Sequence, residues 1–475
     1  MIVEHSVAAT GPAIRVPVRP AAGAPKPDFL VGHLLQITRG QLDFLRHVAR
    51  DYGDVVPVRY GPQTVVLLQH PDLIEEVLVT QQRNFAKGRF YRLLGPLLGE
   101  GLLTSEGELW RRQRRLAQPA FHRERVAAYG DTMVALTERL LEGWRPGEVR
   151  DVHADMMRVT LEIVVKTLLD ADAAGEASAV GEALPVALHE LNGLMNSPAF
   201  LLPEAVPTPG KWRLTRAVRR LDDVVYRIIR ERRAAPGDRG DLLSMFMAAQ
   251  VEPEESRDPA GAPPTRMTDR QLRDEVMTIM LAGHETTALA LTWTWYLLSE
   301  HPAVDERLRE ELGRELGGRP PAVGDLPRLR YAELVLTEAM RLYPPIPIIG
   351  RQAIAACELG GYPLPAGTPV SFAQWSVHHD PRFYDEPEAF RPERWADGLA
   401  RRLPRFAYFP FGGGPRLCIG NAFAMMEATL LLATIAQRFR PRLVPGHPVV
   451  PVPSLTLRPE HGMRMRLDPA PLPSA

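Results

Sequence analysis

The stretch that most constrains this chain runs from Thr268 to His301. Apolar residues dominate from Val276 to Leu298, long enough to span a bilayer, but Gly283-His284-Glu285-Thr286-Thr287 interrupts the middle. A polar cluster at that depth is costly in lipid, so the run reads as a helix buried inside protein. Its start is written into the sequence: Thr268 and Gln271 have capping-box spacing, and Met267 and Leu272 can close a hydrophobic staple over it. His301-Pro302 marks its stop. A helix of about 33 residues is roughly 50 Å long, so it crosses an entire domain and the rest of the chain must be built around it.

Composition narrows what that surrounding body does. Lys+Arg 57 balance Asp+Glu 57, which argues against a chain-wide nucleic-acid surface. With 45% hydrophobic and 24% charged residues, a large core is available and wholesale disorder is excluded. Lysine occurs only at Lys26, Lys87, Lys166 and Lys211, a bias toward arginine that reads as genomic base composition. The two cysteines, Cys357 and Cys418, are too few for a disulfide framework and fit a reducing, cytoplasmic compartment. Residues 1–27 carry no apolar signal segment and read as a flexible Pro/Ala-rich lead; residues 28–475 read as one domain.

Along the chain, VVPVRYGPQTVVLL from Val55 to Leu68 reads as a hairpin around Tyr60-Gly61-Pro62. Helical periodicity then dominates, including Met133 to Trp144, Met156 to Leu169 and Leu214 to Arg233. The acidic, Pro-rich stretch Val251 to Pro264 reads as a surface loop. Strand candidates return at Gly367 to Phe372 and Ser454 to Leu457, and a last helix is expected from Asn421 to Arg438. The fold class expected is mainly α with a small β part.

The strongest chemical signal is Phe411-Gly-Gly-Gly414-Pro-Arg416-Leu-Cys418-Ile-Gly420, a glycine-rich loop delivering one cysteine to the start of a helix. A thiolate there is favoured by backbone N–H donors and the positive helix end. Glycines let the backbone approach the sulfur and a flat cofactor closely. Zinc would need three more ligands, and the chain has no CxxC. This loop resembles that of the cytochrome P450 family, FxxGxRxCxG, matched at Phe411, Gly414, Arg416, Cys418 and Gly420.

Three further motifs follow the family order. Ala282-Gly283-His284-Glu285-Thr286 resembles the distal oxygen-binding motif, [AG]Gx[DE]T, in which a Thr hydroxyl bonds preceding carbonyls and opens the helix ladder. Glu338-Ala-Met-Arg341 places acid and base on one helix face; with Arg394 of Phe390-Arg-Pro-Glu-Arg-Trp395 it resembles the family's buried structural network. Trp110-Arg-Arg-Gln-Arg114 presents an indole and a guanidinium at one anion, which the resemblance makes a haem propionate. By the same resemblance Arg351 and Arg416 also neutralise propionates.

The resemblance implies a haem-thiolate monooxygenase of the bacterial type similar to microsomal enzymes, without a membrane span. It would bind haem b (iron protoporphyrin IX) through Cys418. It would take electrons from a separate ferredoxin- or flavodoxin-type donor with its reductase, and act as a monomer. Glu285 and Thr286 would relay protons to bound dioxygen. Phe90, Tyr91, Leu94, Leu98, Leu281, Ala282, Ile346, Ile348 and Ile349 would line a pocket for a lipophilic substrate such as a fatty acid, terpenoid, carotenoid or polyketide. Arg111, Arg112, Arg115, Arg401, Arg402 and Arg405 would form the docking patch for an acidic donor. Peroxide-driven oxygenation, or haem binding without catalysis, shares Cys418 but does not need the Glu285–Thr286 pair. Other chemistries fail on spacing: Ala288 breaks HExxH, Gly210-Lys211 lacks the P-loop pattern, no GxSxG occurs, and Leu417 breaks GxGxxG.

Overall fold

The computed structural model describes residues 14–20, 23–29, 31–61, 63–170, 176–195, 206, 208–235, 237–249 and 266–470. The central helix spans Asp269–Glu300 and begins as its sequence dictates. Thr268 accepts the Gln271 N–H at 3.2 Å while the Thr268 N–H donates to the Gln271 side chain at 2.9 Å. Met267 and Leu272 are both buried in the main core, where a staple belongs. His301 ends the helix, its ring bonded to the Leu297 carbonyl at 2.8 Å, before Pro302 starts the next one.

Around this axis pack the helices Val152–Leu169, Pro209–Ala234, Arg330–Leu342 and Asn421–Ala436. Gly283 lies at the crossing with Val152–Leu169, where an added Cβ would stand 3.1 Å from Val164 Cγ2. At the same crossing Thr160 donates to the His284 carbonyl at 2.9 Å. A small residue and a donor at one level therefore set how closely the two helices approach.

The β part is small and lies to one side. Its largest sheet orders Val55–Tyr60, Gln63–Leu68, Pro369–Phe372, Ile349–Ala353 and Phe85–Ala86. The first two form the antiparallel hairpin read from the sequence, although Pro62 lies outside the described residues. Gln63–Leu68 and Pro369–Phe372 pair in parallel, with Leu68 opposite Phe372. A second sheet joins Phe439–Leu443, Arg464–Pro469 and Val149–Asp151. Ser454–Leu457 is not a strand as expected. Ser454–Thr456 is the turn of a hairpin between Pro451–Pro453 and Leu457–Pro459, held by the Ser454 N–H on the Thr456 carbonyl at 3.0 Å. The loop read at 251–264 lies outside the described residues.

Part of the stretch read as a flexible lead is docked. Ile14 N–H donates to the Arg402 carbonyl at 2.7 Å, and Arg19 binds Asp54, which also receives Arg382. Asp54 has no exposed surface; burial raises its pKa, but the guanidiniums of Arg382 and Arg19 together hold it below the usual carboxylate range. A buried acid with two arginines fixes the first strand to residues on both sides of it.

Candidate active site

The cysteine loop is shaped by its glycines. Gly414 has φ +65°, and a Cβ on it would stand 2.0 Å from the Leu78 carbonyl oxygen, so only glycine fits without moving backbone. Gly413 would place a Cβ 2.2 Å from the Phe406 ring. The Cys418 N–H donates to the Phe411 carbonyl at 3.0 Å, closing the loop just before the helix Asn421–Ala436. Burial pushes the Cys418 thiol up, while the Gly420 N–H and Arg114 act to lower it. The residue nevertheless carries open surface, so a ligand can reach it.

Behind the loop stands the network expected from Glu338, Arg341 and Arg394. Arg341 donates to both oxygens of Glu338, from Nε at 2.9 Å and Nη2 at 2.8 Å, and Arg394 Nε adds a third bond at 2.8 Å. The indole of Trp395 donates to Glu338 at 2.8 Å and the Arg391 N–H at 3.1 Å. Arg341 also donates to the carbonyl of His378 at 2.8 Å, and the Nε2 of that histidine accepts the Phe409 N–H at 3.0 Å. Burial, with Arg341 beside it, lowers the His378 pKa to about 3, so its ring is a neutral acceptor. The network thus reaches the entrance of the cysteine loop through His378, which sequence reasoning missed because a lone histidine carries no spacing signal.

On the other flank, cations gather. The Arg416 guanidinium lies 4.0 Å from the Trp110 ring centroid and donates to the Ser105 carbonyl at 2.9 Å. Burial, with Arg351 adding to it against the opposing pull of Glu106, lowers Arg416 to about 10. Lys87 is pushed well below the usual lysine range by burial, then by Arg416 and Arg351. It donates to the Leu103 carbonyl and sits 4.9 Å from the Tyr91 ring. Arg351 donates to its own neighbour, the Gly350 carbonyl, at 2.8 Å. Arg114 is lowered by burial, an effect opposed by Cys418. Lys87, absent from the sequence reading, joins this cluster because the two-residue strand Phe85–Ala86 pairs with Ile349–Ala353, bringing it beside Arg351.

The distal motif lies within the central helix, which continues through Ala282–Thr287, and Thr286 Oγ1 donates to the Ala282 carbonyl at 2.7 Å. Glu285 is buried and tied to the C-terminal hairpin, accepting from Thr456 Oγ1 at 2.6 Å and from the Arg458 guanidinium. Beside Thr287, Glu427 is buried with neither carboxylate oxygen hydrogen-bonded, and burial pushes its pKa far up.

Of the expected pocket residues, Ala282 carries open surface in the middle of the central helix, and Phe90, Tyr91, Ile346, Ile348 and Ile349 are partly open. Leu94 and Leu98 have no accessible surface and Leu281 almost none, so these three sit in the main core.

The donor set suits haem. Among the described residues no three His, Cys, Asp or Glu side chains converge as a metal cage. Lys87, Arg351 and Arg416 repel one another with Glu106 as the opposing acid, an arrangement that favours added carboxylates.

Comparison with known proteins agrees. The family model described as Cytochrome P450 matches residues 23–465. Cyclooctatin synthase of Streptomyces melanosporofaciens is 39% identical over 430 residues, 90% of this chain and 91% of that protein. Cyclooctat-9-en-7-ol 5-monooxygenase of the same species is 38% identical, covering 91% and 94%. Pentalenene oxygenase of Streptomyces avermitilis is 37% identical, covering 94% and 97%. Among solved structures, the heme domain of cytochrome P450DA superposes with a TM-score of 0.82 at 26% identity, covering 96% of this chain and 99% of that one.

Proposed function

The chain belongs to the cytochrome P450 family and is an oxidoreductase of its monooxygenase class, and from that premise we propose that it oxygenates a lipophilic, terpenoid-like substrate by hydroxylation or epoxidation. The observation that carries this reading is the cysteine loop: one thiol with open surface, with Arg114 beside it. The names of its Streptomyces relatives support the substrate class.

Haem b bound through a cysteine thiolate supplies the activation of dioxygen. The chain's own residues do the rest. Cys418 is the residue that would hold the iron, as a thiolate. The Gly420 N–H and Arg114 hold the resulting negative charge on Sγ. Arg351, Arg416 and Lys87, with Trp110 beneath Arg416, would hold the cofactor's carboxylates. Thr286 keeps a hydroxyl proton at Oγ1 against the Ala282 carbonyl, next to the open surface of Ala282. Glu285, adjacent in sequence, exchanges protons with that site. Phe90, Tyr91 and Ile346 to Ile349 exclude water and favour an apolar ligand.

The reading places residues 28–475 in one functional unit. A ferredoxin- or flavodoxin-type donor would meet the arginine patch, where Arg111 pairs with Glu108 and Arg405 with Glu75. No helix among the described residues is long and apolar enough to cross a membrane; the reading makes the protein a cytoplasmic monomer.

The first test is the carbon monoxide difference spectrum of reduced, haem-loaded protein. A strongly red-shifted Soret band, lost in Cys418→Ala, is the expected outcome; the same band in both proteins removes Cys418 as ligand. Pentalenene and cyclooctat-9-en-7-ol are then titrated against the Soret spectrum. Binding of either with product formation from reduced donor supports a terpenoid substrate, and no binding by either with tight binding of lauric acid refutes it.

A further inference from the structure

The C-terminal hairpin makes a contact with the central helix that the motif reading does not use. Thr456 closes the turn and Arg458 lies in the strand Leu457–Pro459, and their side chains converge on Glu285. Both end on the same atom: Thr456 Oγ1 donates to Glu285 Oε1 at 2.6 Å, and the Arg458 guanidinium binds that oxygen as well. Arg458 Nε additionally donates to Thr456 Oγ1 at 3.2 Å, so the two donors also hold each other.

The residue between them is pinned from both sides. The Leu457 N–H donates to the Pro345 carbonyl at 2.9 Å, and its own carbonyl accepts the Trp293 indole N–H at 2.9 Å. Trp293 stands eight positions beyond Glu285 on the central helix, a little over two turns away and about 80° round its axis. The hairpin is therefore bonded to the helix at two levels and cannot slide without breaking both. Pro345 immediately precedes Ile346, the first apolar residue of the pocket loop, so one strand joins that loop to the buried acid.

The surroundings make Arg458 the main partner of Glu285. His284 and His153, the other titratable groups near Arg458, are pushed by burial to about 3 and about 4, so both are neutral. Removing one member of a buried ion pair leaves the other uncompensated, so the orientation of Glu285 depends on this clamp.

We propose that Arg458, with Thr456, is a positioning residue for proton delivery: the pair holds the Glu285 carboxylate on the hairpin side of the helix and meters its exchange with Thr286. The proposal rests on the proton role assigned above to Glu285. It adds residues about 170 positions downstream of the acid, on an element whose sequence carries no catalytic motif.

The test uses the haem-loaded enzyme with a surrogate ferredoxin, its reductase and NADPH, with dioxygen as the substrate, so no organic ligand is needed. The readouts are the fraction of electrons leaving as hydrogen peroxide, the solvent deuterium isotope effect on NADPH oxidation, and the crystallographic position of Glu285. Arg458→Met is expected to raise the ratio of peroxide to water about tenfold, to change the isotope effect, and to release Glu285 from the hairpin. Arg458→Lys should restore most of the wild-type partition. Thr456→Val, which keeps the ion pair, should move the ratio in the same direction by a smaller factor and gives the answer if Arg458→Met fails to fold. Lower thermal stability with an unchanged partition and isotope effect in Arg458→Met, or in Thr456→Val where Arg458→Met does not fold, overturns the proposal and leaves a structural salt bridge. Glu285→Gln separates the two levels. If it changes the partition while the clamp variants do not, the clamp alone is refuted; if it too is silent, the proton role of Glu285 falls with it.

Discussion

Glu338→Gln tests whether the buried network holds the cysteine loop. Five N–H donors converge on the Glu338 carboxylate: two from Arg341 and one each from Arg394, Trp395 and the Arg391 backbone. Glutamine keeps the shape but replaces one acceptor oxygen with a donor and removes the charge. The Arg341 side chain has no exposed surface, so its cation would lose its only carboxylate partner among the described residues. Breaking a buried pair this way costs about 3–5 kcal/mol. At about 2.1 cal/mol/K per residue, a cooperative chain of 475 residues has an unfolding entropy near 1 kcal/mol/K, so Tm should fall by about 3–5 °C. Melting followed at once by far-ultraviolet circular dichroism and by the Soret band should show the haem signal lost earlier than the helices, because His378 passes the disturbance to Phe409. The comparison is Arg391→Ala, whose side chain makes a half-exposed pair with Glu386 and should shift stability by less than about 0.5 kcal/mol. A Glu338→Gln protein melting within about 1 °C of wild type, with an unchanged Soret band, would refute the reasoning.

Further outcomes follow from local geometry. Gly414→Ala must move the Leu78 carbonyl away from the new Cβ, so haem-loaded protein should be recovered at well under half the wild-type yield; normal yield and Soret position would show that the backbone yields easily. Glu275 is buried against the Leu102 N–H, and burial raises its pKa from 4.5 to about 8. A carboxyl raised on folding binds its proton more tightly in the native state, so stability should fall as pH rises from about 4.5 to about 8; Glu275→Gln should flatten that segment of a denaturation-versus-pH curve, and an identical slope in both proteins would exclude Glu275 as its source. Lys87→Met removes one cation of the proposed carboxylate site and should speed haem transfer to apomyoglobin about tenfold or more, whereas an unchanged rate would place Lys87 outside the site.

How much of this was legible in the sequence depended on whether a feature was local. The capping box at Thr268 and Gln271 acts within one turn, and the helix begins where it says. The loop from Phe411 to Gly420 is a local conformation that glycines enforce, and the family assignment rests on it. Ser454 to Leu457 misled because alternating apolar residues suit a turn between two very short strands as well as one strand, and the Pro345 and Trp293 contacts decided the register. Leu94 and Leu98 read as pocket residues by position, but apolarity alone cannot distinguish a side chain facing a ligand from one facing the core. The most consequential miss was the environment of Glu285. Its spacing to Thr286 is fixed by the helix, but the direction of its carboxylate is fixed by Thr456 and Arg458. No window along the chain joins residues that far apart. Motif reading therefore locates the acid, whereas the direction in which that acid can move a proton is a property of the hairpin packed against it.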